Sequence, residues 1–333
     1  MNRNRLMQHV NDWITRLGSQ SKVAEKIGVS VTSLSLWLNG KYGADTGKMD
    51  AKIAASLNYQ EDGWQVVTTI SNYRKIEFVC RSCKDEAMWM AISNKAGSGK
   101  TQALEHIFNS DLSGSIIFIQ AEEWNARQFL LELAERTCGV PKRSYTNIPT
   151  LIKMITEYLN RLSADKPLLI IDEADKLRPA ALRKLIPIYN RTEHRMGCVL
   201  AGTENLHKEI ARGVRNNLKG YDEIDSRLGR SFIDLPGATE QEVRDICLAN
   251  HLDTDSADRV WSEVDKVKKI VKTRGKNKGE VREKSVFICE DLRRLMRLVK
   301  REQLAHKLNN LQSYGQDTWS RTILASTQES NAF

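Results

Sequence analysis

The 333-residue sequence has no apolar run approaching the ~18 residues of a membrane span. Its first residues, MNRNRLMQHVND, lack the apolar core of a signal peptide. Neither export nor membrane insertion is therefore expected, and a cytoplasmic location is. Cysteine is sparse. Cys80, Cys83, Cys138, Cys198, Cys247 and Cys289 lie scattered along a long chain, which implies reduced thiols, not a disulfide framework. Cys80 and Cys83 form a CxxC, but no second ligand pair stands at zinc spacing and no thioredoxin-like context surrounds them. They read as two thiols near a helix end. Internal repeats and long low-complexity tracts are also missing from the sequence.

What is present suits folded domains. Apolar residues make up 41% and charged residues 28%, so global disorder is excluded. At ~100–200 residues per domain, the length predicts two or three domains. Lys plus Arg number 51 against 42 Asp plus Glu, a net charge of +9, which fits a nucleic-acid partner without requiring one.

Residues 1–60 read as short helices broken at Gly18, Gly28 and Gly40, with a polar loop over 45–49 and a last helix over 50–57. Residues 61–70 read as a linker. Short apolar runs then alternate with helical stretches, an α/β pattern. The runs 88–93, 115–120, 168–172, 198–202 and 232–235 suit buried strands of a parallel sheet. Helices are predicted over about 100–109, 125–137, 148–163 and 179–190. From Thr239, whose spacing to Glu242 is that of a capping box, the pattern is helical to about 311. It is interrupted by a basic stretch, Lys266 to Lys284, in which Gly275 and Gly279 predict a loop or insertion. The expected domains are thus 1–60, a core over 71–236, a helical lid over 237–312 and a polar tail over 313–333.

Two motifs carry chemistry. Asn94-Lys95-Ala96-Gly97-Ser98-Gly99-Lys100-Thr101 follows an apolar strand and opens a helix. Such a loop turns backbone N–H groups towards a triphosphate, with Lys100 reaching the outer phosphates and the Thr101 hydroxyl offered to Mg²⁺. The first position of this P-loop is Asn94 where the pattern has glycine, and Asn is the side chain that best tolerates positive φ. The second motif, Leu168-Leu169-Ile170-Ile171-Asp172-Glu173, is an apolar strand ending in two carboxylates. Asp172 is placed to hold the metal and Glu173 to activate the attacking water.

Together these residues resemble the Walker A and Walker B motifs of the AAA+ ATPases. The resemblance implies ATP and Mg²⁺ as cofactors, ATP hydrolysis, and a parallel-sheet α/β core followed by a lid. It also implies a γ-phosphate sensor at Thr203, with Asn205 a second candidate, in VLAGTEN. It implies an arginine acting on the neighbouring subunit's nucleotide in DSRLGR, Arg227 ahead of Arg230. A second sensor falls at Arg293 in Glu290-Asp291-Leu292-Arg293, beginning a lid helix, whereas Arg294, Arg297 and Lys300 read equally as a solvated face.

At the front, QSKVAEKIGVSVTSLSLWLNG has the grammar of a helix-turn-helix and resembles the phage-repressor and Cro family. Ala24 is small where two helices cross, Gly28 sits at the turn, and Val29, Leu34 and Trp37 have packing spacing. The second helix, about 31–38, would enter the major groove by its start. Ser30, Thr32, Ser33 and Lys41 are the candidate contacts. Short hydroxyls there, without a bidentate Arg, Asn or Gln, predict weak sequence preference.

A Cro-like module followed by an AAA+ core resembles the MuB, TnsC and TniB group of transposition regulators. That likeness implies ATP-dependent polymerisation on double-stranded DNA as a homo-oligomeric filament, delivery of target DNA to a DDE transposase, stimulation of strand transfer, and target immunity. It also implies a DNA-contacting basic loop at Lys142 and Arg143. The alternatives are a repressor-type transcription regulator, a helicase-loader ATPase, and a secretion-associated ATPase, the last of which needs a membrane partner.

Overall fold

The structure is a computed structural model describing residues 3–43, 45–57, 59, 64–111, 113–274 and 281–308. The chain divides into two compact units, Met1–Gln65 with Asn109–Gly114, and Val66–Phe108 with Ser115–Phe333. The expected tail over 313–333 lies outside the described residues, as do 61–63 of the expected linker and Gly275 and Gly279.

The first unit is built from α1 (Arg3–Leu17), α2 (Gln20–Ile27), α3 (Val31–Leu38) and α4 (Thr46–Ser56). Each helix contributes an apolar stripe to one small core: Leu6 and Val10, Val23, Ala24 and Ile27, Leu34 and Trp37, and Met49 and Ile53. Ser19 caps α2, and Gly28 ends it with φ +72°, a left-handed turn that costs glycine little. Two residues later Ser30 caps α3 through its hydroxyl, which accepts from the Ser33 amide. The loop expected over 45–49 is instead the first turn of α4. Asp45 caps it by accepting from the Lys48 amide, which starts the helix before the polar residues end.

The second unit opens with α5 (Ser71–Glu86) and a five-stranded parallel sheet in the order β2-β3-β4-β1-β5. The strands are β1 (Trp89–Ser93), β2 (Ile116–Gln120), β3 (Leu168–Asp172), β4 (Gly197–Gly202) and β5 (Phe232–Ile233). Every residue of β3 and β4 is buried, which explains their unbroken apolar character. The connecting helices are α6 (Lys100–Ser110), α7 (Ala126–Cys138), α8 (Ile148–Arg161), α9 (Pro179–Leu182), α10 (Leu185–Thr192), α11 (Glu204–Arg215) and α12 (Tyr221–Arg227). The single helix expected over 179–190 is therefore two. Cys80 and Cys83 are buried on α5, and desolvation drives both thiols up, Cys83 to about 12, so they are inert packing groups.

The lid is not purely helical. Besides α13 (Glu240–Ala249), α14 (Thr254–Glu263) and a last helix over residues 292–308, it holds an antiparallel sheet in the order β6-β8-β7. Its strands are β6 (Ala238–Thr239), β7 (Lys266–Arg274) and β8 (Val281–Cys289). The stretch expected as a basic loop is thus a nine-residue-paired ribbon, registered from Lys266↔Cys289 to Arg274↔Val281. Its β-branched residues Val267, Ile270, Val271, Val281, Val286 and Ile288, interleaved with lysines, favour extended chain over helix.

Candidate functional site

Three central strands end on one side of the parallel sheet, and the C-terminal edge of such a sheet is where ligands bind. After β1, residues 94–99 form the glycine-rich loop and α6 begins at Lys100. Gly97 and Gly99 take φ +84° and +87°. A Cβ on Gly97 would also strike the Asp291 carboxylate, so the loop is close-packed against the lid. The helix N-terminus behind it supplies unpaired amides and a positive dipole end.

Asn94 does not take positive φ; its side-chain amide donates to the Asp234 carboxylate and to the Leu235 carbonyl. The amide thus fastens the loop to the stretch after β5, which is a different reason for Asn than turn geometry. Lys95 is exposed and pairs with Glu290 of the lid at 2.7 Å. Neither side chain lines the cleft, whereas residues 96–101 all do. Lys100 is buried, and its ammonium donates to the Asn94 carbonyl (2.8 Å), the Lys95 carbonyl (3.0 Å) and Ser98 Oγ (3.1 Å). Burial lowers its pKa from the ordinary lysine value, against the opposing pull of Asp172 and Asp175.

Asp172 ends β3 at 1% exposure. Burial raises its pKa, while hydrogen bonds from the Thr101 side chain and the Glu173 backbone favour the charge. Even so, Asp172 Oδ2 is buried with no hydrogen-bond partner. An orphaned carboxylate oxygen beside a hydroxyl is an oxygen donor set of the kind a hard divalent cation takes, so Asp172 and Thr101 fit Mg²⁺. Glu173 stands next, in the left-handed region at φ +53°. Its carboxylate accepts from Gln120 Nε2 at 3.2 Å and from Lys176 Nζ at 2.6 Å.

Gln120 and Lys176 escaped the sequence reading. The available signal was a polar residue closing the apolar run of β2, whose register places Gln120 opposite Asp172. Thr203 lines the cleft, caps α11, and donates its hydroxyl to Asp175 at 2.6 Å, whereas Asn205 does not line the cleft. From the lid, Leu292, Arg293 and Met296 complete a cleft of about 390 Å³. The Arg293 amide donates to the Gly97 carbonyl at 3.2 Å. Arg294 instead pairs with Asp265, while Arg297 and Lys300 lie outside the cleft lining.

The two candidate trans arginines differ in kind. Arg227 is fastened to the Glu223 carbonyl, Asn190 Oδ1 and the Glu223 carboxylate, and its guanidinium stacks over Tyr189 at 5.1 Å. Arg230 is 56% exposed, at φ +52°, and pairs with Asp222 and Asp225. Of the candidate DNA residues, Ser30, Thr32 and Lys41 are exposed and Ser33 is half-buried. Lys142 is bound to Glu132 at 2.6 Å and Glu135 at 3.3 Å, which neutralises much of its charge, whereas Arg143 is exposed. Nearby Tyr145, which the sequence reading passed over, is 99% exposed. Among the described residues no helix is long and apolar enough to cross a membrane, and no group of three or more His, Cys, Asp or Glu is placed to hold a metal ion.

Residues 84–210 match an AAA domain family. The DNA transposition protein B of the Mu-like prophage FluMu from Haemophilus influenzae is 26% identical over 225 residues, spanning 63% of this chain and 72% of that protein. Among solved structures, Cdc6p from Pyrobaculum aerophilum aligns with a TM-score of 0.42 and 17% identity, over 57% of this chain and 52% of its own. The Aeropyrum pernix ORC2 protein in its ADPNP–ADP complexes aligns with a TM-score of 0.38 and 15% identity, over 53% of this chain and 49% of its own. The chain thus spans about half the length of these two solved proteins. Residues 84–210 thus carry an AAA domain on a parallel sheet of this topology, a nucleotide-binding fold, and the chain is similar to a transposition protein B.

Proposed function

We propose that this chain hydrolyses ATP, assembles as a filament on duplex DNA with little sequence preference, and delivers that DNA as target to a DDE transposase. Target immunity then follows when the transposase triggers hydrolysis and clears the protein from nearby DNA. The observation that carries the ATPase reading is Asp172, a buried carboxylate with an orphaned oxygen between Thr101 and Glu173 in a cleft floored by Lys100. The likeness to a transposition protein B supports the DNA and transposase assignments.

In this reading the Lys100 ammonium exchanges its loop carbonyls for the outer phosphates. Thr101 and Asp172 would hold Mg²⁺, which would screen phosphate charge when bound. Glu173, released from Gln120 and Lys176, takes the proton of the attacking water. Thr203 reports the γ-phosphate to α11, and Arg293 does the same for the lid. We assign the trans role to Arg230, because its guanidinium is exposed while that of Arg227 is committed within its own subunit. On the DNA side, α2 and α3 act as a helix-turn-helix with Ser30, Thr32, Ser33 and Lys41 at the duplex. Arg143 contributes a phosphate contact, and Lys142 a lesser one.

Electron microscopy of the protein with random duplex DNA tests this. ATP should give filaments and ADP bare DNA. Coating that ignores the nucleotide would overturn the proposal. Lys100→Ala should lose ATP-dependent DNA binding. Glu173→Gln should hold persistent filaments, and rapid disassembly of that variant would remove Glu173 from its role.

A further inference from the structure

We infer that the β7–β8 ribbon is a separate nucleic-acid-binding arm, laid along a groove of the duplex with its lysines on the phosphates. The inference rests on the reading that this chain binds duplex DNA, and adds a surface that neither the front module nor the nucleotide cleft supplies.

Charge is the first argument. The two strands, residues 266–274 and 281–289, contain seven Lys and Arg against one Glu, a net +6 out of +9 for the whole chain. The rest of the protein is nearly neutral, so the basic excess that suggests nucleic acid is a local property of this ribbon. Shape is the second. Nine paired residues at ~3.3 Å each make an arm about 30 Å long, and a two-stranded ribbon is one of the two elements the major groove admits. Duplex DNA carries one charge per ~1.7 Å of axis, so an arm of that length meets many phosphates.

Two lysines in the near half of the arm, Lys266 and Lys268, are exposed and have no carboxylate partner among the described residues. The Lys266 ammonium lies 5.1 Å above the Trp261 ring and donates to the Ser262 carbonyl at 3.4 Å, contacts that leave its positive charge unneutralised. Ile270 and Phe287 are 65% and 55% exposed, with Phe287 directly opposite Lys268 in the register. Apolar side chains held out beside lysines suit the sugars and base edges of a groove. At the root, Lys269 pairs with Glu290 at 3.0 Å, and Glu290 pairs with Lys95 of the nucleotide loop at 2.7 Å. The arm is thereby fastened to the loop that would hold ATP.

The test is fluorescence anisotropy of the full chain on a labelled random duplex, with a non-hydrolysable ATP analogue, over roughly 50–200 mM salt. The triple variant Lys268→Gln, Lys272→Gln, Arg274→Gln should bind about tenfold more weakly. Its slope of log affinity against log salt should flatten by about 2 to 3, near 0.9 for each phosphate no longer neutralised. DNA-free ATP hydrolysis should be unchanged, which establishes that the variant folds, and the matching Lys→Arg variant at 268 and 272 should restore both affinity and slope. Wild-type affinity and slope in the Gln variant would overturn the inference while leaving the proposed function standing. Loss of transposase capture with DNA binding intact would overturn it too, in favour of a protein-docking ribbon. Failure of the wild-type chain to bind DNA at all would instead bring down the proposed function, and the arm with it.

Discussion

Asp172 is where folding and the proposed metal-holding role want different side chains. A carboxylate at 1% exposure with an unpartnered oxygen destabilises the empty fold, because an unmet buried polar group costs about 1–3 kcal/mol. Its folded pKa lies above the ordinary ~3.9, so folding favours the protonated form. The sign follows from linkage: the cost is absent below the ordinary value and sets in as pH rises through the raised folded value. Asp172→Asn should therefore melt a few degrees above wild type at pH 8 without nucleotide, about 1 kcal/mol appearing as ~2–4 °C. That advantage should fade in acid, and Mg²⁺-dependent nucleotide binding should be lost. Calorimetry of the two proteins at pH 8 decides it; a variant that melts at or below wild type is the contrary result. That Asp172, Lys100 and Thr101 meet in one cleft was legible in the sequence, because a glycine-rich loop and an acid-tipped strand each fix residue type and spacing at a strand end. Gln120 and Lys176 were not, since holding Glu173 needs only a donor within reach, and many polar residues at many positions meet that demand. Asn94 was visible for the wrong reason: its amide anchors the loop to Asp234 and Leu235, a contact 140 residues away that local pattern does not contain.

At the scale of elements, the parallel strands were legible and the lid was only half so. Buried strands announce themselves as continuous apolar runs, and β3 matches its expected bounds. The β7–β8 ribbon has its apolar residues diluted by lysine, and glycines between its strands read as a break, so a pair of strands passed for a loop. The capping box at the head of α13 was legible and does more than cap. Glu242 accepts from the Thr239 amide at 2.7 Å and also from the amide and hydroxyl of Ser71, which starts α5 on the core side. Burial works against its charge, but these hydrogen bonds outweigh it and hold the carboxyl below its ordinary value. A depressed carboxyl stabilises the fold above its unfolded value of ~4.3, and that contribution is lost as pH falls through the folded value. Glu242→Ala removes a cap and the tie between lid and core, a loss of about 1–3 kcal/mol near neutrality. Urea denaturation at pH 7 should show that loss, and the gap from wild type should narrow below about pH 4. A gap that is constant with pH would mean that the charge of Glu242 contributes nothing.

For the whole molecule, the question is whether one subunit's nucleotide is completed by the next. Trans contacts leave no mark on local sequence pattern, which is why two arginines in DSRLGR were both readable and only their surroundings separate them. Arg227 is spent on Asn190, Glu223 and Tyr189. Arg230 is held only by Asp222 and Asp225 at the surface, and partial solvation makes such pairs cheap to exchange for a phosphate. A head-to-tail interface repeats without closing and gives a helical polymer in which every internal site is shared. Arg230→Ala should then keep ATP binding but lose most hydrolysis, and Glu173→Gln should do the same for a different reason. Mixed in equal amounts on DNA, the two inactive proteins should regain activity, because a site pairing Glu173 of one with Arg230 of the other is intact. Random order along the polymer makes about a quarter of sites whole, so recovery towards a quarter of wild-type turnover is the expected reading. Arg227→Ala should instead lower thermal stability, since it breaks contacts inside its own subunit, and should give no such recovery. If the Arg230→Ala and Glu173→Gln mixture stays silent while both proteins still coat DNA together, Arg230 does not act across the junction, and the nucleotide must be completed by other groups.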